Sequence, residues 1–333
     1  MNTNVINAAL LVGALGLSMW AATLPGSGQL AARTGSGAAD APSLDATEVV
    51  DARGVAVPIR PYQRIVSLST ISDHVLLRLV EPERLISITE YTARHPVAWQ
   101  FGGRPKVASS GALETVLSLQ PDLVVVTLYA DEAYLARLRE NGVEVFDLGD
   151  MRGVETTRAS IRALGALLDA RDRAAALERS YDRELAALDA RIPDDELLPG
   201  IYLSVYGDTF FGASANTSYA DTLRLGGIRD IAAEQGFVDW PQYTAEQLLE
   251  LDPPLIVTLE GMAQVIRNHA LLSSLSACGP NGRIIEINSA YNSDAGLGIV
   301  EAAHQLLTRA HPRRSSSPPP STPQSPLPPS QED

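Results

Sequence analysis

The chain has 333 residues, of which 45% are hydrophobic and 20% are charged, so it can bury a sizeable core and a wholly disordered chain is excluded. Asp and Glu exceed Lys and Arg by 40 to 26, and the net charge of −14 argues against a nucleic-acid-binding protein, which needs a basic surface. The single cysteine, Cys278, excludes an intrachain disulfide and a multi-cysteine metal site.

Both ends differ in composition from the middle of the chain. Residues 5–22 are almost entirely apolar and approach the length that spans a bilayer, so we predict that 1–27 form a cleavable signal peptide or a membrane anchor of an exported protein. No Lys or Arg stands among the first twenty residues, and a mis-assigned start codon is the alternative. Gly, Ala and Ser dominate 28–45, which predicts a linker. Pro and Ser dominate 312–333, which predicts a disordered tail because proline prevents regular pairing.

Short apolar segments alternate with helix-like segments in 46–153. This alternation is typical of a parallel α/β sheet that is covered on both faces. We therefore predict an N-terminal α/β lobe over 46–153. The predicted strands are 65–68, 85–88, 123–126 and 143–146, and the predicted helices are 73–80, 112–119 and 131–140.

Two helices are predicted next, over 154–191. Apolar residues recur at spacings of three and four from Ile161 onward, which is helical, and no Gly or Pro interrupts 166–192. A helix over 171–191 would be ~30 Å long. Since it contains no flexible hinge, we expect it to form a rigid bridge.

The second half of the chain repeats the pattern of the first. The segment 246–257 repeats 114–125 in register, 132 residues further on, with Glu, Leu, Leu, Pro, Leu and Val at the same places. In each copy a short helix stops at a proline and leads into a buried strand, so we predict a second lobe of similar fold over 192–311. The predicted strands are 201–205, 255–258 and 284–287, and the predicted helices are 218–225, 244–251, 262–274 and 297–309.

The fold class follows from the repeat and the long helix. We predict an α/β protein with two similar Rossmann-like lobes bridged by one long rigid α-helix. Ligands of such proteins bind in concave sites between domains or at strand ends. A cleft between the two lobes is therefore the expected ligand site.

Five motifs, in their order and spacing, carry a family resemblance. They are Arg64-Ile-Val-Ser-Leu-Ser, Leu119-Gln-Pro-Asp-Leu-Val-Val, Val238-Asp-Trp-Pro-Gln, Asn281-Gly-Arg-Ile-Ile-Glu and Gly298-Ile-Val-Glu-Ala-Ala. Over about 46–310 the chain resembles the substrate-binding proteins of bacterial ABC importers for cobalamin, haem and ferric siderophores. Trp-Pro-Gln followed by Glu246 is most similar to the cobalamin-binding type. The resemblance implies a monomeric, non-catalytic periplasmic receptor without a cofactor of its own. It would deliver a metal chelate, cobalamin or a ferric siderophore, to a permease and its ATPase in the inner membrane.

The resemblance places the docking glutamates of the family at Glu114 and Glu246, one on each lobe, where each is expected to meet arginines of the permease. Both lie in the first turn of a predicted helix, where the helix dipole favours negative charge. Thr244 and Gln247 have the spacing of a capping box. The repeat relates the two carboxylates symmetrically, which suits a two-fold partner. The alternative is that each glutamate only stabilises its own helix.

Four aromatic residues match cleft positions of the cobalamin-type members. Tyr91 follows the second predicted strand, and Trp240 precedes Glu246 by six residues. Tyr206 and Phe211 are expected on the loop after the first strand of the second lobe. Loops at strand ends line the mouth of an open α/β sheet, and aromatic rings there stack on a flat macrocycle. Ordinary packing of each ring is the alternative.

Three positions depart from the cobalamin type. Ala108 stands where a cleft tryptophan is expected, and Thr127 replaces an aromatic residue, although Tyr129 is close. His74 occupies a position where the family has Glu. These differences leave the chelate undecided, with haem as the alternative to cobalamin or a ferric siderophore.

Other ligands need residues that are scattered in this chain. Direct binding of a metal ion needs about three His and a carboxylate. Of the five histidines, His304 is expected on a helix surface and His311 adjoins the tail, which leaves His74, His95 and His269 as candidates. Haem needs an axial Tyr or His, and an anionic catecholate needs arginines in the cleft. The haem candidates are Tyr91, His95 and His269, and the arginine candidates are Arg94, Arg104 and Arg267.

An enzyme of the same two-lobe layout, such as a tetrapyrrole metal chelatase, is the alternative from a different class. No Gly-x-Ser-x-Gly, Gly-x-x-x-x-Gly-Lys or His-Glu-x-x-His motif occurs in the sequence, so no hydrolase elbow, phosphate loop or zinc-protease helix is indicated. A surface protein that recognises a partner through its Pro-rich tail is a third interpretation. We expect a receptor rather than an enzyme.

Overall fold

The computed structural model describes most of the middle of the chain. The described residues are 46–108, 113–127, 130–292 and 294–312. The predicted signal or anchor over 1–27, the predicted linker over 28–45 and the tail beyond 312 lie outside the described residues. None of the described helices is both long enough and apolar enough to cross a membrane.

Contacts divide the chain into two units. The first holds Met1–Asp150 and Arg158–Ala175, and the second holds Met151–Thr157 and Ala176–Asp333. Each unit contains a mainly parallel sheet with helices, as the predicted fold class requires.

The first unit contains a parallel sheet of five strands after a small antiparallel pair. Its strands are β1 Glu48–Val50, β2 Ala56–Pro58, β3 Ile65–Ser67, β4 Leu85–Thr89, β5 Lys106–Val107, β6 Leu123–Val126 and β7 Glu144–Asp147, and its helices are α1 Thr70–Leu79, α2 Leu113–Ser118 and α3 Glu132–Glu140. The order in the large sheet is β5-β4-β3-β6-β7. All four residues of β6 are buried, as expected for a strand that is covered on both faces.

The predicted strands of this unit are confirmed to within one residue at each end. The helix predicted over 73–80 begins earlier, at Thr70, because Ser69 caps it: the Ser69 hydroxyl accepts a hydrogen bond from the Ser72 amide at 3.1 Å. The sequence does not predict β1, β2 and β5, since two or three residues are too few for an alternating pattern.

Two helices follow, α4 Val154–Leu167 and α5 Arg171–Asp189. Between them Asp169 is left-handed, with φ of 54°, a conformation that commonly ends a helix. The second helix is uninterrupted over 19 residues, which makes it about 28 Å long. The predicted long helix is therefore confirmed, two residues shorter than expected.

The second unit contains the larger sheet. Its strands are β8 Leu198–Tyr206, β9 Thr209–Ala213, β10 Ile228–Asp230, β11 Gln242–Tyr243, β12 Leu255–Leu259 and β13 Arg283–Ile287, and its helices are α6 Ser218–Leu225, α7 Ile231–Glu234, α8 Ala245–Leu251, α9 Ala263–Asn268, α10 Ser289–Asn292 and α11 Gly298–Ala310. The order is β11-β9-β8-β12-β13, and β10 also pairs with β8. Only the pairings of β9 are antiparallel.

A tight turn reverses the chain between β8 and β9. Gly207 in this turn has φ of 59°, which glycine adopts without steric cost and which two-residue hairpins favour. As a result Tyr206 ends β8 and Phe211 lies within β9. The expectation that these two residues lie on a loop is therefore wrong.

The helix predicted over 262–274 is interrupted after Asn268. Two 3₁₀ turns follow, Leu272–Ser274 and Ser276–Cys278. The Nδ1 atom of His269 accepts a hydrogen bond from the Leu271 amide at 3.3 Å, so this amide bonds to a side chain instead of continuing the helix.

The internal repeat is preserved in the backbone. In each copy a short helix, α2 or α8, is followed by a left-handed residue, then a proline and a strand. These left-handed residues are Gln120 and Asp252, with φ of 49° and 33°. Each of the two amides donates to a carbonyl of its own last helical turn, at 2.9 Å and 3.0 Å. The two helix–proline–strand corners therefore share their local geometry as well as their sequence.

Candidate ligand-binding and docking sites

One face of the second sheet carries a group of aromatic rings. Side chains alternate along a strand, so Tyr202, Ser204 and Tyr206 of β8 face the same side, and Phe211 of β9 stands opposite Ser204 in the hairpin register. The ring centroids of Tyr206 and Phe211 are 5.9 Å apart, within the usual range for an aromatic pair. Both rings are half-buried and thus remain accessible to a ligand.

Backbone hydrogen bonds fix the loop that carries Trp240. The Asp239 amide donates to the Ala215 carbonyl at 2.7 Å, and the Gly212 amide donates to the Pro241 carbonyl at 2.7 Å. Asp239 is left-handed, with φ of 56°, which is uncommon for a residue other than glycine. The loop is therefore held on both sides of the indole, which remains 39% exposed.

Two buried tyrosines connect Trp240 with the sheet. The ring centroid of Tyr219 on α6 lies 5.1 Å from that of Trp240, edge to face, and 4.3 Å from that of Tyr202. Burial raises the pKa of Tyr202 well above its ordinary value and also raises the pKa of Tyr206, so both phenols remain neutral at physiological pH. Tyr202, Tyr206, Phe211, Tyr219 and Trp240 are called the aromatic face below.

Three of the four aromatic residues predicted from the sequence lie in the aromatic face: Tyr206, Phe211 and Trp240. Their role in binding remains a prediction. Tyr202 and Tyr219 are not among the sequence candidates. Tyr202, Ser204 and Tyr206 alternate along β8, and this spacing in the sequence could have identified Tyr202 had the strand been extended to Tyr206. The contact of Tyr219 with Trp240 forms only in the folded chain.

An ion pair lies beside the exposed indole. Arg152, which precedes α4, pairs with Asp239, and both side chains are about half exposed. Because Asp239 directly precedes Trp240 in the fixed loop, the guanidinium lies near the edge of the aromatic face. Its N–H groups can donate to a polar substituent of a ligand.

The corresponding strand ends of the first unit are occupied by buried polar groups. Tyr91, the fourth candidate, follows β4 and is half-buried. Next to this strand end Asp73 of α1 accepts hydrogen bonds from the amide and the hydroxyl of Thr89, both at 2.9 Å. Burial raises the pKa of Asp73 to about 6.

His74 belongs to a packed ring cluster rather than to an open surface. Its ring centroid lies 4.8 Å from that of His95 and 5.5 Å from that of Phe101, and all three side chains are buried. His95, a candidate for an axial haem ligand, is thus part of the packing of the first unit. Tyr129, considered as a substitute for the aromatic residue missing at Thr127, lies outside the described residues.

Two of the three arginine candidates for anion binding are engaged elsewhere, and the third, Arg267, is exposed. Arg104 donates to the Leu85 carbonyl at 2.6 Å, and Arg94 pairs with Glu90 at 3.3 Å. Among the described residues, no group of three or more His, Cys, Asp and Glu side chains has a geometry that could hold a metal ion.

Glu114 and Glu246 occupy the first turns of α2 and α8, and both are exposed. The predicted capping box of α8 is confirmed, since the Gln247 amide donates to the Thr244 hydroxyl at 3.2 Å and the Thr244 amide donates to Oε1 of Gln247 at 2.8 Å. Hydrogen bonds from its own amide and from the Thr244 hydroxyl lower the pKa of Glu246. This carboxylate is therefore ionised at neutral pH, and the docking role of both glutamates remains a prediction.

The chain matches the family model of periplasmic binding proteins over residues 65–291. It belongs to this family. A cobalamin-binding protein of Halobacterium salinarum is 25% identical to it over 320 residues, which cover 91% of this chain and 84% of that protein. The ABC transporter substrate-binding lipoprotein YvrC of Bacillus subtilis is 24% identical over 208 residues, covering 60% of this chain and 65% of that protein.

Solved structures of periplasmic binding proteins share the fold. The periplasmic haem-binding protein RhuT of Roseiflexus sp. RS-1, in its apo form, matches with a TM-score of 0.63 at 21% identity, covering 75% of this chain and 99% of that chain. The predicted resemblance and the predicted fold class are thereby confirmed.

Proposed function

We propose that this periplasmic binding protein is the receptor of an ABC importer, which captures cobalamin or a ferric siderophore and delivers it to a permease and its ATPase in the inner membrane. The aromatic face carries this proposal. The similarity to a cobalamin-binding protein over 91% of the chain and to an ABC transporter substrate-binding lipoprotein supports it. Both relatives are named as binding proteins, and the proposal includes no catalytic step.

Capture relies on the stacking of neutral rings. Trp240 offers an exposed ring that Tyr219 supports from behind, and Tyr206 with Phe211 adds a second accessible pair. Each aromatic contact contributes about 0.5–1.5 kcal/mol beyond the burial of its area. Arg152 adds polar donors at the edge, which suits a flat chelate with polar substituents. The binding role of Tyr91 in the first unit stays a prediction.

Delivery relies on the two docking glutamates. Glu114 and Glu246 lie at the same place in the two copies of the repeat, so each unit presents one exposed carboxylate in the first turn of the repeated helix. Charge-assisted pairs between carboxylates and arginines orient partners and speed their association. A permease with two-fold symmetry would offer one such arginine site to each unit. Export through the segment 1–27 would bring the receptor to this partner.

Isothermal titration of the full-length protein with cobalamin, a ferric hydroxamate siderophore and haem tests the proposal. We expect cobalamin or the siderophore to bind with a micromolar or tighter Kd and to be released chemically unchanged. If haem binds and neither cobalamin nor the siderophore does, the ligand is haem and the proposed chelate is wrong. Insertion of a metal into a free porphyrin would establish a chelatase, and the absence of binding to all three ligands would contradict the receptor assignment.

A further inference from the structure

The second unit has a groove on the opposite side of its sheet from the aromatic face. It is open to solvent and has a volume of about 670 Å³. Phe210 lines it, and because side chains alternate along β9, Phe210 points away from the side that Phe211 faces. Other lining residues are Asp208, Thr244, Ala245, His269 and Leu271. The groove is therefore a separate feature from the proposed chelate site.

Glu246 stands beside one rim of this groove. Thr244 and Ala245, the two residues directly before it, both line the groove. The negative charge of Glu246 is exposed there.

Asp208 supplies a second carboxylate at another rim. Its side chain is fully exposed at the tip of the β8–β9 hairpin, and its Oδ1 lies 3.2 Å from Nε2 of His269. Since Nδ1 of His269 accepts from the Leu271 amide, the network assigns the ring proton to Nε2, which donates to Asp208. This contact with the His269 ring orients the Asp208 carboxylate at the rim.

The floor between the two carboxylates is apolar and fixed. The His269 ring packs edge to face on Phe210, with centroids 5.2 Å apart, and Phe210 is buried in the core of the second unit. Among the described residues that line the groove, none is Lys or Arg. An apolar floor between two anionic rims is complementary to a segment that carries basic side chains on both sides of an apolar one.

We propose that this groove docks a basic–apolar loop of the permease, with one basic side chain on Glu246, a second on Asp208 and an apolar side chain on the floor between them. The inference rests on the proposed function, because it takes Glu246 as a docking residue. It adds Asp208 and the groove to the docking surface of the second unit. An anionic chelate is disfavoured here by the same two carboxylates.

The stimulation of ATPase activity by the receptor, measured with the permease–ATPase complex in lipid nanodiscs, tests the inference. Asp208→Asn removes one charge, and Ala270→Trp places a bulky ring in the groove at an exposed lining position. We expect each variant to raise the receptor concentration for half-maximal stimulation by roughly fivefold to tenfold, as the loss of a rim contact does. Asp195→Asn, an exposed acidic residue outside the groove, is the matched control and should leave this concentration unchanged.

The outcomes separate the groove from the docking glutamate. If Glu246→Gln weakens stimulation while Asp208→Asn and Ala270→Trp behave like the wild type, the groove is not a docking surface and the proposed function stands. If Glu246→Gln also stimulates the ATPase like the wild type, the docking roles of both the groove and Glu246 are overturned. A change of chelate affinity or of oligomeric state in Asp208→Asn would assign the groove to the ligand or to a second copy of the chain, and would equally overturn the inference. Should Ala270→Trp fail to fold by circular dichroism, Asp208→Asn alone decides.

Discussion

The two units share a repeated corner but differ at the strand ends beside it. In both, a short helix ends at a left-handed residue before a proline, at Gln120 and Asp252, and each helix carries an exposed glutamate in its first turn. The first unit then buries polar groups, such as Asp73 and His74, at the end of its sheet. The second unit instead presents aromatic rings that end in the exposed Trp240. The repeat thus supplies matching scaffolds for the two proposed docking glutamates, whereas the rings proposed to bind the chelate lie where the units have diverged.

The largest expected effect concerns what the two units have in common. Replacing both docking residues, Glu114→Gln with Glu246→Gln, should abolish stimulation of the permease-bound ATPase and leave chelate affinity unchanged, because the carboxylates lie outside the aromatic face. Each single variant should weaken stimulation by a similar factor, about tenfold, if the two corners are equivalent. Full stimulation by the double variant would remove the docking assignment.

The second prediction concerns the buried carboxyl group of the first unit. The pKa of Asp73 is raised from 3.8 to about 6 by burial, so the folded state binds its proton more firmly than the unfolded state. Its contribution to the free energy of unfolding is present below pH 4 and is lost as the pH rises through about 6. The loss is on the order of 3 kcal/mol.

Urea unfolding of the wild type and of Asp73→Asn between pH 4 and pH 7 measures this loss. Groups that titrate in both proteins cancel in the difference between their free energies of unfolding. The amide oxygen of Asn can still accept a hydrogen bond from Thr89. The variant should gain stability relative to the wild type as the pH rises. A difference that is constant over this range would show that Asp73 does not titrate there.

The third prediction concerns the exposed ring of the second unit. Trp240→Ala removes the accessible indole of the aromatic face and should weaken chelate binding about 30-fold, or ~2 kcal/mol, as is typical of a central aromatic contact. The matched control is Trp99→Ala, which removes a 73% exposed indole from the first unit and should leave the affinity unchanged. Equal losses in both variants, measured by titration calorimetry, would contradict a specific role for Trp240.

The smallest expected effect concerns the support of this ring. Tyr219→Leu removes the edge-to-face contact with Trp240 and should weaken chelate binding about fivefold, or ~1 kcal/mol. Tyr219→Phe keeps the ring and should bind like the wild type. If the two variants lose the same affinity, the hydroxyl rather than the ring supports the site.

The sequence predicts the regular elements of this fold well because buried parallel strands are continuous apolar runs. It also identifies the capping box at Thr244 and the long helix after 171. It fails at β9, although Gly207 and Asp208 between two apolar runs are a hairpin signal. As a consequence Phe211 is expected on a loop and lies in a strand.

The candidate site is predicted less completely, because its contacts join distant parts of the chain. Nothing in the local sequence indicates that Tyr219 supports Trp240, or that Arg152 pairs with Asp239 across 87 positions. Likewise His74 carries no sequence signal of its burial against His95. These contacts depend on how the helices pack on the sheets, which hydrophobic periodicity does not specify.

Tryptophan fluorescence during a titration with cobalamin tests whether the chelate stacks at the aromatic face. The wild type, Trp99→Phe and Trp240→Phe are compared at equal absorbance. Stacking of the chelate at this face predicts saturable quenching in the wild type and in Trp99→Phe, and its loss in Trp240→Phe. Saturable quenching that persists in Trp240→Phe and disappears in Trp99→Phe would contradict it.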